Sequence, residues 1–195
     1  ASGDWSSDVC SSDLDTKLLD KGFVSLKVPD APFANGGFAT PSGRCEFVSD
    51  RLAAQGLDPL PNHIPNYEVP VAGSAYPLAM ISPPARNFLN STFVNVKSLR
   101  DMEGEPLLEI HPQDATARQL NDGEMVRVFN DRGSYECKAQ ITTRAQPGMV
   151  VGLGIWWRKF GANGTNVNEL TSQLLTDMGR APVFYDCAVQ VASLR

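Results

Sequence analysis

Beyond residue 75 the apolar residues of this chain gather in six short runs. They are Tyr76–Ser82, Leu107–His111, Met125–Asn130, Ser134–Thr142, Met149–Leu153 and Phe184–Val191. The runs are rich in Val, Ile and aromatic residues and are separated by polar or glycine turns, so each reads as a strand. Asp122-Gly123 and Asn130-Asp131-Arg132-Gly133 supply residues that tolerate positive φ at tight connections. Pro112–Leu120 and Asn168–Leu175 read as short helices, and Pro112 suits a first helical position because no amide hydrogen bond is lost there. The pattern predicts a mainly β (α+β) fold, a compact barrel that closes on itself and leaves no exposed edge.

Before residue 76 this regularity breaks up. Phe33–Gly43 is turn-rich, Arg44–Val48 alternates like a strand, and Ser49–Gly56 predicts a helix with a serine N-cap and a glycine stop. Pro59, Pro61, Pro65 and Pro70 each exclude helix at the preceding residue and predict an extended linker. Residues 15–75 therefore read as an extended arm leading into a barrel of residues 76–195. Asp4–Leu14 back-translates to a widely used sequencing-adapter sequence. Residues 1–14 are accordingly expected to be an assembly artefact, disordered, on a gene truncated at about Asp15.

That expectation changes the composition. Without Asp4, Asp8 and Asp13 the formal charge moves from −5 to −2, which gives no electrostatic case for nucleic acid or an anionic membrane surface. No apolar run approaches the roughly 20 residues that span a bilayer. Cys45, Cys137 and Cys187 are scattered without a Cys-x-x-Cys pair, so they build neither a zinc nor an iron–sulfur site and are expected to be buried small apolar side chains in strands. His63 and His111 form no ligand pair and are expected to be structural or surface residues.

Candidate chemistry sits in two loops. Ser82-Pro83-Pro84-Ala85-Arg86-Asn87-Phe88-Leu89-Asn90-Ser91-Thr92 follows the first strand and joins one cation to several amides and hydroxyls. Arg86 offers a fork to phosphate oxygens, Asn90 can donate to and accept from a heterocycle edge, and Ser91 and Thr92 can donate to oxyanions. Pro83 and Pro84 stiffen the loop and reduce the entropy lost on binding. The second cluster is Trp156-Trp157-Arg158-Lys159-Phe160, then Gly161–Gly164, then Asn166-Val167-Asn168. One tryptophan is expected to face inward and the other outward, either to stack on a flat ring or to pack against the missing part of the protein. Asn168 either caps a helix or turns its amide toward a ligand, with capping the safer reading. Tyr185 can hydrogen-bond a ligand edge or be an ordinary core tyrosine.

The order and spacing of Tyr76–Thr92, Leu108–Gly133 and Asn166–Thr171 resemble the C-terminal cofactor-binding domain of the molybdopterin oxidoreductases, the dimethyl sulfoxide reductase superfamily. Phe33–Phe47 resembles the segment that leads into this domain in many bacterial members. The resemblance implies a six-stranded double-psi β-barrel with two or more short helices. It implies that Ser82, Pro83, Arg86, Asn90, Ser91, Thr92, Asn168 and Tyr185 contact bis(molybdopterin guanine dinucleotide) carrying Mo or W; Trp157 joins them as the candidate outward, stacking tryptophan. Many members have lysine where Tyr185 stands. No metal ligand, acid, base or nucleophile is assignable; the resemblance implies a metal ligand, and as in many members a 4Fe-4S cluster, in missing N-terminal catalytic domains, with electron-transfer subunits as further partners. No direct membrane contact is expected, and cytoplasmic and periplasmic locations stay equally open. Two rivals stand beside this reading: a free-standing molybdopterin-binding subunit of a multi-subunit dehydrogenase, and a barrel serving protein interaction without cofactor.

Overall fold

The computed structural model describes residues 12–25 and 29–194. They form two compact units, one ending at Asp50 and one beginning at Arg51. Most of the adapter-like stretch, residues 1–11, lies outside the described residues; Ser12–Leu14, expected disordered, instead open a helix, α1 (Ser12–Lys21).

The first unit continues as turns. Arg44–Val48 is not the expected strand, because side chains close the backbone locally. Thr40 Oγ1 donates to the Arg44 carbonyl at 2.6 Å, and the Ser42 N–H donates to Glu46 Oε1 at 2.9 Å. Such short-range bonds compete with a strand ladder. Helix α2 (Asp50–Ala53) then forms where expected, with its stop at Gly56, whose φ is +76°.

The second unit is the closed six-stranded barrel. Its strands are β1 (Leu78–Ile81), β2 (Leu107–Ile110), β3 (Met125–Phe129), β4 (Ser134–Ile141), β5 (Met149–Leu153) and β6 (Ala188–Ser193). They pair in the order β1-β5-β2-β4-β3-β6. β1 runs parallel to β5 and β2 parallel to β4, while the other four pairings are antiparallel. These two parallel crossovers give the double-psi connectivity. Side chains alternate across each strand, and Leu78, Met80, Leu108, Ile110, Val126, Val128, Val150 and Val189 fill the interior at 0–1% exposure. Burial of each contributes roughly 1.5–3 kcal/mol, which selects the closed register over one slipped by a residue. Cys137, in β4, is buried as expected; Cys187 is buried too but stands one residue before β6 rather than in a strand, and Cys45 is exposed and lies outside any strand, in the turn-rich first unit.

Helix α3 (Lys97–Glu103) and helix α4 (Pro112–Ala117) flank the barrel. α4 starts at Pro112 as predicted, and His111 has the structural role of its cap, accepting at Nδ1 from the Gln113 N–H at 3.2 Å. The helix expected over Asn168–Leu175 is absent. A 3-10 turn at Val167–Glu169 gives way to extended chain that bridges Leu175 to Pro182. The Leu170 carbonyl, which the next helical turn would need, is occupied by Arg132 Nε at 2.7 Å, Asn130 Nδ2 at 3.0 Å and the Cys187 thiol at 3.3 Å. β6 also starts four residues later than Phe184, because a turn closed by the Asp186 N–H on the Val183 carbonyl holds Phe184 and Tyr185 outside the sheet.

Residues 51–75, read with the arm, belong to the barrel unit. Glu68 fixes them: its carboxylate pairs with the Arg132 guanidinium and accepts from the Ala188 N–H at 2.9 Å. Burial opposes ionisation there, but the Arg132 bonds and the Ala188 N–H hold the Glu68 carboxyl below its ordinary value of 4.5.

Candidate functional site

Because β1 and β5 are adjacent and parallel, the loops that follow them leave the same end of the barrel side by side. These are the two loops singled out by their chemistry. Their first contact prolongs the strand pairing, as the Gly154 N–H donates to the Pro83 carbonyl at 3.0 Å. Gly154 is required there twice over. Its φ is +77°, and a Cβ would stand 3.0 Å from the Ala85 Cβ.

Beneath the loops lies a small second core of Ala85, Phe88, Val94 and Trp156, with Leu99 and Phe160 against it. Phe88 and Trp156 meet edge to face at 5.1 Å, a geometry worth about 0.5–1.5 kcal/mol beyond area. Trp156 is thus the inward tryptophan and Trp157 the outward one, at 36% exposure. Helix α3 braces the first loop from outside. Glu103 Oε1 accepts the Asn87 N–H, and Arg100 donates to the Val94 carbonyl at 2.8 Å.

The decisive contact joins the loops at their tips. Trp157 Nε1 donates to the Ser91 carbonyl at 2.7 Å. Asn90 and Ser91 form the corner of a tight turn, with Asn90 at φ +53° and the Leu89 and Thr92 backbones bonded reciprocally at 2.8 and 3.2 Å. Asparagine has the short polar side chain that this conformation tolerates.

The second loop is held by Asn166, which the sequence places in the cluster without marking a role for it. Asn166 accepts the Asn168 N–H at Oδ1 (3.0 Å) and donates through Nδ2 to the Trp156 carbonyl at 2.8 Å. Asn166, not Asn168, is the cap. The Asn168 side chain is exposed and makes no hydrogen bond among the described residues. Glu169 pairs with Arg158, while Lys159 places its ammonium 4.9 Å from the ring centroids of both Trp157 and Phe160.

A pattern runs through the expected site residues. The backbone carrying Arg86, Asn90, Ser91, Thr92 and Asn168 is pinned, yet their side chains make no hydrogen bond or ion pair among the described residues. Ser82 is buried at the base of the loop, and Pro83 gives up its carbonyl to Gly154. Eight of the nine expected residues therefore lie on two clasped loops or just beyond them. Tyr185 is on neither loop: half exposed, just before β6, it lines a cleft of about 290 Å³ together with Ile64, Tyr67, Asp177 and Phe184. No group of three or more His, Cys, Asp or Glu suited to a metal ion occurs among the described residues.

Residues 78–188 match the Molydopterin dinucleotide binding domain family. The chain is 33% identical over 180 residues to the probable oxidoreductase YoaE of Bacillus subtilis, covering 92% of this chain and 26% of that protein. It is 36% identical over 165 residues to a putative dimethyl sulfoxide reductase catalytic subunit of Halobacterium salinarum, covering 79% of this chain and 20% of that one. Dimethyl sulfoxide reductase DmsA of Escherichia coli is 32% identical over 169 residues, covering 78% and 20%. The chain thus spans about a quarter or less of these relatives' length. Among solved structures, acetylene hydratase from Pelobacter acetylenicus shares the fold, with a TM-score of 0.71 at 21% identity, covering 86% of this chain and 26% of that one. A barrel of this connectivity with these loops at one end, matched over residues 78–188, places the chain in the molybdopterin dinucleotide-binding domain family of the dimethyl sulfoxide reductase superfamily.

Proposed function

We propose that this chain is the part of a larger molybdenum or tungsten oxidoreductase that grips the guanine dinucleotide form of molybdopterin. The observation that carries the reading is the Trp157–Ser91 clasp at 2.7 Å, which presents two sets of uncommitted polar side chains together. Their donors suit the ligand. Arg86 brings a guanidinium for pyrophosphate oxygens, Ser91 and Thr92 bring hydroxyls, and Asn90 and Asn168 bring amides for a pterin or guanine edge. Lys159, exposed and outside any ion pair among the described residues, adds a second cation at the clasp. Trp157 offers its outer face for stacking, Ser82 and Pro83 shape the base of the loop, and Tyr185 is assigned to a part of the ligand beyond the clasp.

The bound cofactor supplies the two-electron or oxygen-atom chemistry. This chain's residues bind it, orient it and keep water from its phosphates. A catalytic metal ligand and any 4Fe-4S cluster belong to other parts of the proposed enzyme, as do its electron-transfer partners. The short span relative to the curated relatives supports that division. The test is guanine nucleotide released on denaturation per polypeptide of the full-length enzyme. Arg86→Ala is expected to retain cofactor about tenfold more weakly, corresponding to the loss of about 1.5 kcal/mol of charged hydrogen bonding. Full retention in that variant would remove Arg86 from the site.

A further inference from the structure

Tyr135 stands on β4 facing the barrel interior at 5% exposure, and its hydroxyl meets no nitrogen or oxygen partner among the described residues, its polar neighbour being the weakly hydrogen-bonding Cys137 thiol. Buried hydroxyls in folded proteins are almost always satisfied, by protein or by ordered water. Gly152 lies opposite on β5, and a Cβ there would come within 2.8 Å of the Tyr135 oxygen and 3.4 Å of Val167. A cavity of about 10 Å³ occupies this place, lined by Tyr135, Gly152, Gly154, Trp156, Asn166 and Val167. That is the space of about one water molecule. Burial keeps the hydroxyl protonated far above its ordinary pKa, with the neighbouring Cys137 thiol adding to the effect, so it remains a donor.

We propose that this cavity is a binding site for one ordered water, which accepts the Tyr135 O–H and hydrogen-bonds the polar wall formed by residues 165–167. Its ligand class follows from size and lining together. The space fits about one water, and a purely apolar cavity would stay dry. Gly152 is then the residue that makes room, and the water ties the barrel interior to the segment that carries Asn166 and Asn168. The site stands whether or not the cofactor assignment does.

Tyr135→Phe in the full 195-residue chain should lower the thermal midpoint by about 2–4 °C, the shift that corresponds to one lost buried hydrogen bond in a chain of this size. The Thr165, Asn166 and Val167 amides should exchange faster with solvent in the same variant. An unchanged or raised midpoint overturns the proposal, because deleting an unpaired buried hydroxyl costs nothing. Should the variant fail to fold, a high-resolution crystal structure of the unaltered chain decides. Ordered water at hydrogen-bond distance from the Tyr135 oxygen upholds the site, and an empty cavity overturns it.

Discussion

Asn168 and Asn166 are two residues apart and do opposite work. Asn166 commits both ends of its amide to the fold, whereas Asn168 commits neither. Asn168→Leu should therefore weaken cofactor retention in the full-length enzyme while leaving the thermal midpoint of the chain nearly unchanged. A lowered midpoint with intact retention would make Asn168 structural instead. Asn166→Ala should lower both, with about 1–2 kcal/mol of stability lost from its two hydrogen bonds, measurable by urea unfolding. The residue types were legible in the sequence, but which asparagine turns inward depends on where the Trp156 carbonyl lies, and spacing does not report that.

Glu68 carries a pH dependence at the same scale. Its folded pKa lies below the ordinary 4.5, so the folded state favours the ionised carboxylate more than the unfolded chain does. The stabilisation is complete above about pH 4.5 and fades as pH falls through the folded value. Glu68→Gln should cost about 2 kcal/mol at neutral pH, the range of a charge-assisted hydrogen bond, and should flatten the acid limb of the stability curve. An acid limb identical to that of the unaltered chain would show that Glu68 is not linked.

At the scale of elements, the two parallel strand pairs decide where chemistry can gather. The loops after β1 and β5 emerge together only because those strands, far apart along the chain, are neighbours in the barrel. Gly154 is the joint between them. Gly154→Val should push the loops apart through the 3.0 Å contact with Ala85 and the positive φ, losing cofactor before losing the barrel. Circular dichroism that stays native while retention falls would show this; unchanged retention would contradict it. The strands were readable because alternation and β-branching recur in each, and five of the six begin within two residues of expectation. Helix α3 escaped notice although Gly104, at φ +80°, marks its end and Lys97 pairs with Asp101 one turn on. The helix expected after Asn168 failed for a tertiary reason, since Arg132 and Asn130 claim the carbonyl it needed.

For the whole molecule, the barrel is a closed and ordinary core, and the proposed function lies in what one end of it displays. Interior truncation such as Leu108→Ala should cost about 2–5 kcal/mol and report on folding alone. The central claim, that the two clasped loops hold a guanine dinucleotide, is tested most directly by titrating the isotope-labelled chain with millimolar GDP and following each backbone amide by NMR. The account predicts saturable shifts concentrated on Ser82–Thr92 and Trp157–Asn168, with the interior strands unmoved. Saturable shifts confined to the Tyr67–Tyr185 cleft, or none at all, would contradict it.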